Sequence, residues 1–183
     1  MTLYALLNAG FREEAEAWRR WLLRAIAGQP DQLRIMYGVV GERGLPEHEI
    51  PWLAGLRDSR PVRIGNGAAQ QLQLEVFGEV LDTLYTARED VLAPAPDAWQ
   101  FQKVLLEHLV DIWHEPDQGM WEMRGPARHF THPKLMCWVS FDRAVKAVER
   151  FGLDGPVDRC VRKGRRSTPR SAPRDSTRNS ANF

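Results

Sequence analysis

Apolar residues recur at helical spacing along most of the chain, and the interruptions mark where helices stop. Leu3 to Asn8 reads as the last turns of a helix closed by Gly10, a residue type favoured just past a helix end. Arg12 to Ala27 follows, with Ala15, Trp18, Leu22, Ala25 and Ile26 on one face and Gly28 ending it. Residues 29–65 lose the rhythm: Pro30, Pro46, Pro51 and Pro61 fall there, with Gly38, Gly41, Gly44, Gly55 and Gly65. A connection this long inside a domain is often functional. The helical pattern returns from about Gly67 to Arg88, with Leu74, Phe77, Leu81 and Leu84 facing one way. Asp97 is expected to cap a helix running to His114, with Phe101, Leu105, Leu109, Ile112 and Trp113 inward. A short extended turn follows. Thr131 is then expected to cap a last helix, with Pro133 in its tolerant first turn and an apolar stripe of Leu135, Trp138, Phe141, Val145 and Val148 reaching Phe151 and Gly152. No 34-residue repeat is visible, which weakens a solenoid reading. The expected chain is all-α, helix alternating with loop, with its chemistry in the loops.

Composition narrows this picture. At 183 residues the chain is one domain or part of a larger one, and its 43% apolar content is ordinary for a soluble protein. No run approaches the roughly 20 apolar residues of a membrane span. The opening MTLYALLNAG lacks a basic leader and a cleavage site, so a cytoplasmic location without a membrane partner is expected. Cys137 and Cys160 form neither a disulfide framework nor a zinc spacing, and neither metal nor cofactor is expected. Residues 160–183 carry seven Lys/Arg and one acid, a net +6. Against +1 for the whole chain, residues 1–159 stand at −5 (1 minus 6). This mildly acidic body does not match a nucleic-acid binder. The tail has no period and almost no large apolar residue, so it is expected to be disordered. Its abrupt change of composition also raises the idea of translation out of frame beyond about Arg159.

One short stretch poses a chemical question. In GMWEMRG a single acid, Glu122, is flanked by Met120, Trp121 and Met123. Apolar surroundings disfavour the charged form of a carboxyl, so such an acid would hold a proton near neutral pH. The plainer alternative is a loop glutamate pairing with Arg124. Arg63 and Asn66 in SRPVRIGN precede an expected helix start, where their polar side chains could bond a ligand; Asn66 would serve equally as a helix cap. Trp52 and Trp121 are either ring-stacking platforms or core. His129, His132 and Lys134 open the last helix and face either a site or solvent. Asp142 and Arg143 fit a structural pair.

The stretches TLYALLNAGFREEAEAWRRWLLRA, IMYGVVGERGLPEHEIPWLAG, SRPVRIGNGAAQQLQLEVFGEVLDTL, GMWEMRG, HFTHPKLMCWVSFDRA and FGLDGPVDR, in that order, resemble bacterial members of glycoside hydrolase family 15, the glucoamylase and trehalase-type enzymes. The resemblance covers about residues 2–159. It implies an (α/α) six-hairpin toroid, or α/α barrel, of which this chain would be part, with a long loop at 29–65. It implies hydrolysis of an α-linked disaccharide or oligosaccharide with inversion. Inversion needs two carboxyls, about 6.5–9.5 Å apart, one acting as acid and one as base. Glu122 matches the family's general acid, and Arg63, Asn66, Trp52, Trp121, Arg124 and Lys134 are the expected substrate contacts. Pro133 departs from the pattern, standing where a small polar residue is common.

The resemblance also implies parts that are not recognised here. A Trp-x-Arg-Asp element would precede TLYALLNAG, and the general base would come from a later hairpin. Glu47, Glu49, Glu75, Glu79 and Asp82 have no motif to support that second role. The expectation is a partial toroid, inactive alone, that self-associates through exposed helix faces. The competing expectation is a non-catalytic helical sugar-binding or interaction module.

Overall fold

The computed structural model describes residues 2–89, 96–155 and 159–160. The described fold is all-α, with five α-helices: α1 Thr2–Asn8, α2 Arg12–Ile26, α3 Glu75–Glu89, α4 Pro96–Ile112 and α5 Thr131–Phe151. It is consistent with an arc of an α/α toroid. Gly10 (φ 85) turns the chain from α1 into α2. Gly152 (φ 66) ends α5, its N–H returning to the Val148 carbonyl at 3.0 Å. The left-handed conformation that glycine adopts without strain gives both stops.

Burial drives the assembly. Leu22 and Ile26 of α2, Phe77 and Leu84 of α3, and Leu105 and Leu109 of α4 share one core with Cys137 and Phe141 of α5. Cys160 is buried in that same core; residues 161–183, where most of the expected disordered tail falls, lie outside the described residues. The α3–α5 seam is the tightest contact. A Cβ on Gly78 would lie 2.5 Å from the Met136 carbonyl oxygen, so the two backbones approach as only glycine permits.

That closeness corrects the expected α5 stripe. The buried face is Pro133, Cys137, Ser140, Phe141, Ala144 and Ala147, while Leu135 is 41% exposed. Small residues fill the seam, and the larger Trp138, Val145 and Val148 sit half-buried beside it. The cap of α5 also moves: Phe130, extended and without a side-chain cap bond, precedes Thr131.

The third helix begins later than its pattern suggests. Residues 67–70 form a single 3-10 turn, residues 71–73 are irregular, and α3 starts at Glu75. The cause is competition for backbone groups. Gln71 N–H closes the short turn on Ala68 O at 2.9 Å, and the Leu72 carbonyl accepts from Gln118 N–H at 3.2 Å. Groups that would propagate the helix are used elsewhere. The long 29–65 connection contains two 3-10 turns, Pro30–Gln32 and Leu56–Asp58, and a two-stranded antiparallel ribbon, β1 His48–Glu49 and β2 Arg63–Ile64. No described helix is long and apolar enough to cross a membrane.

Candidate active site

The site is built where the β1–β2 ribbon meets the loop between α4 and α5. His48 pairs with Ile64 and Glu49 with Arg63. Just after β2, Gly65 adopts φ 76, and a Cβ there would lie 2.0 Å from the Pro46 carbonyl oxygen. That backbone approach excludes any other residue without movement of the ribbon. It lets Asn66 N–H bond Leu45 O at 3.0 Å and sets the Asn66 side chain toward the neighbouring loop.

The second loop is held by a buried acid. Asp117 is 1% exposed. Its carboxylate accepts Leu74 N–H at 3.0 Å and Gly119 N–H at 3.2 Å. Its backbone exchanges two bonds with Arg128, Asp117 N–H to Arg128 O at 2.9 Å and the reverse at 2.7 Å. Burial raises the Asp117 pKa, opposed by the two backbone N–H donors and the charges of Lys134 and His129. Gln71 Nε2 also donates to Met123 O at 3.0 Å. The loop is thus tied to the chain just before α3 from several directions.

Glu122 sits at the bend of this loop with φ 50, a conformation uncommon for a non-glycine residue. Its N–H bonds Gly119 O at 3.1 Å. Its Oε2 accepts from Asn66 Nδ2 at 3.2 Å. Asn66 is 56 residues away in sequence. The Asn66 Oδ1 is fully used: it accepts Ala68 N–H at 2.9 Å and Arg124 at 3.3 Å. Its capping role and its site role therefore coincide.

Arg124 does not pair with Glu122. Its guanidinium bonds Glu47 at 3.0 Å. Glu47 also accepts Gly67 N–H at 3.1 Å and lies 3.9 Å from Arg63, whose closer partner is Glu49 at 2.9 Å. The Gly67 N–H and then Arg124 hold the Glu47 carboxyl below its usual range. Two arginines and two glutamates thus interlock on an open shelf.

The expected apolar wall around Glu122 is absent among the described residues. Trp121 is 80% exposed, and Met120 and Met123 are about half exposed. The tight bend at Glu122 turns these flanking side chains outward while the carboxyl turns to Asn66. Trp52 is 84% exposed on the 29–65 loop. Lys134 faces away from the shelf: its ammonium donates to the carbonyls of Trp113 at 2.8 Å and Glu115 at 2.5 Å, just past the end of α4. Burial lowers the Lys134 pKa. Asp142 pairs with Arg143 at 2.6 Å, as expected of a structural pair, and Arg143 also binds Asp82 at 2.5 Å.

Three acids gain roles that sequence did not assign: Glu47 and Glu75 were weighed only as a second carboxyl without a motif, and Asp117 was not considered. Glu47 joins the shelf through a ribbon too short to leave a strand pattern. Asp117 carries a weak signal, an Asp two residues before a Gly, which favours a side-chain-closed turn. Glu75, in the first turn of α3, is 6% exposed, and neither carboxyl oxygen has a hydrogen-bond partner among the described residues. Burial pushes its pKa from 4.5 up to about 7, with Asp117 and Glu79 adding to the rise. No group of three potential metal ligands occurs among the described residues.

The sequence model of Glycosyl hydrolases family 15 matches residues 1–167. The chain is 42% identical over 157 residues to the trehalase of Mycolicibacterium smegmatis, covering 82% of this chain and 23% of that protein. It is 39% identical over 153 residues to the trehalase of Mycobacterium tuberculosis, covering 82% and 22%. It is 38% identical over 148 residues to trehalase 1 of Sulfolobus acidocaldarius, covering 78% and 26%. The chain therefore spans about a quarter of the length of these relatives. No solved structure matches it. On the extent of the family match, the chain belongs to glycosyl hydrolases family 15.

Proposed function

We propose that this chain supplies the proton-donating part of an active site that hydrolyses an α-glucosidic bond, with trehalose as the substrate. The observation that carries the reading is Glu122, held at a bend by Asn66 from a separate loop, in a chain similar to proteins named trehalases. In an inverting reaction the Glu122 proton passes to the glycosidic oxygen as the bond from that oxygen to the sugar carbon breaks. A second carboxyl takes a proton from the attacking water. The open indole of Trp121 offers a stacking face beside the acid, and Arg63 and Arg124 offer donors at the rim. Trp52 offers a second stacking face, and Lys134 contributes by fixing the end of α4. Neither Glu47 nor Glu49 on the shelf is assigned as the partner base, since both are bound to arginine. The site as described is therefore acid without base, and the chain alone is expected to be inactive on trehalose.

The test is an exchange of segments. Residues 2–159 replace the matching stretch of the M. smegmatis trehalase, and glucose release from trehalose is measured. The hybrid should turn over trehalose, and Glu122→Gln within it should lower kcat by about 10²–10⁴-fold, the usual contribution of a positioned acid. Full activity of the Glu122→Gln hybrid would refute the assignment. Trehalose turnover by the 183-residue chain alone would refute its incompleteness.

A further inference from the structure

The sequence offered Asn66 as a sugar contact or a helix cap. The hydrogen-bond pattern gives it a different task. Both groups facing Asn66 Oδ1, the Ala68 N–H and the Arg124 guanidinium, can only donate. The amide is thereby fixed with its oxygen toward them and its Nδ2 toward Glu122. Arg124 is in turn held by Glu47, whose Oε2 also receives the Gly67 N–H. The result is a continuous series, Glu47 to Arg124 to Asn66 to Glu122, bringing together residues from three separate stretches of chain.

From this geometry we propose that Asn66 is the positioning residue of Glu122, and that Glu47, acting through Arg124, sets the orientation of Asn66. The inference rests on the reading of Glu122 as the proton donor. It extends that reading to a stated atom. Oε2 accepts from Asn66 Nδ2 at 3.2 Å, so the Glu122 proton sits on Oε1, the oxygen left free for substrate. A carboxylic acid presents its carbonyl oxygen to a donor and its hydroxyl elsewhere. Glu122 holds a left-handed backbone conformation that only surrounding contacts sustain, and Asn66 is its side-chain contact. Asn66 thus acts through the acid, and Arg124 serves its orientation before it serves any sugar.

The experiment is side-chain NMR on the labelled 183-residue chain, with Asn66→Ser, Asn66→Asp and Glu47→Gln as variants. Serine and aspartate both remain good caps for the 67–70 turn, so a purely capping Asn66 predicts no change at Glu122. Positioning predicts a loss of order in the Glu122 side-chain methylenes, down to the level of an exposed glutamate such as Glu13. Both Asn66 variants should show it. Glu47→Gln should produce a smaller loss and should speed solvent exchange of the Asn66 amide protons. Unchanged Glu122 order in Asn66→Ser and Asn66→Asp, with backbone spectra showing the fold intact, would overturn the proposal. If both variants unfold, Glu122→Ala supplies the reciprocal test: it leaves the cap and the Arg124 contact on Oδ1 untouched and removes the acceptor of Nδ2, so the amide should keep its orientation while its protons exchange faster with solvent, and an unchanged exchange rate would overturn the proposal. None of these readouts involves hydrolysis. A Glu122 that proves non-catalytic is detected by the hybrid enzyme, and an Asn66 that does not position it is detected here.

Discussion

Replacing Glu75 with glutamine should remove a large pH dependence from the stability of this chain. The folded protein keeps the Glu75 proton up to about pH 7, against 4.5 for a free side chain. The sign follows from proton uptake. In this range the folded state binds more protons than the unfolded state, so stability falls as pH rises. The benefit is present below about 4.5 and is lost as pH climbs through about 7. The move from 4.5 to about 7, at about 1.4 kcal/mol for each pH unit, gives a loss of about 3–4 kcal/mol. That is a sizeable share of the roughly 5–15 kcal/mol of a typical domain. Glutamine has the shape of the protonated acid and cannot ionise. Asp117 and Glu79 face the same group and are present in both proteins, so their own titration cancels in the comparison. The assay is urea unfolding followed by helical circular dichroism at acidic and mildly alkaline pH. The two proteins should be close in acid, and Glu75→Gln should be more stable by about 3–4 kcal/mol in alkali, at unchanged denaturant slope. Parallel loss of stability in both proteins would refute the argument and mean that Glu75 finds a partner when charged.

Two further outcomes are expected. Gly78→Ala should lower stability by about 1–3 kcal/mol, because forcing a methyl into a filled seam exceeds the gain of about 1 kcal/mol from alanine's helix propensity; an unchanged or raised Tm would show that α3 and α5 can separate freely. The chain should elute above its 21.0 kDa mass, since Tyr4, Val104 and Leu135 are exposed on three different helices; a strictly monomeric mass by light scattering would exclude association through those faces.

Helix positions were legible in the sequence because burial on one face leaves a period. The bounds of α2 and the glycine stop of α5 follow directly from that pattern. The start of α3 did not, because Leu72 and Gln71 pass their backbone and side-chain groups to a loop some 50 residues away, a use that no local period records. The α5 stripe shifted for a related reason: the sequence marks where large apolar residues are, whereas the seam selects small ones. Glu122 stood out as an acid among apolar neighbours, yet its neighbours point outward and its partner is Asn66. Glu47 and Asp117 were passed over because each gains its role from contacts made only on folding.

The backbone contact at Gly78 and the clamp at Asp117 have a joint mechanical consequence. Asp117 fastens the acid loop to Leu74 at the head of α3, and Gly78 fixes α3 against α5, which begins where that loop ends. The loop leaves α4, is fastened near its start to the head of α3, and ends on α5, which packs against α3. The acid has a fixed address and little travel of its own. A substrate must be brought to it by other parts of the site, and a change in the packing of two buried helices would be read out as a change in where the proton is delivered.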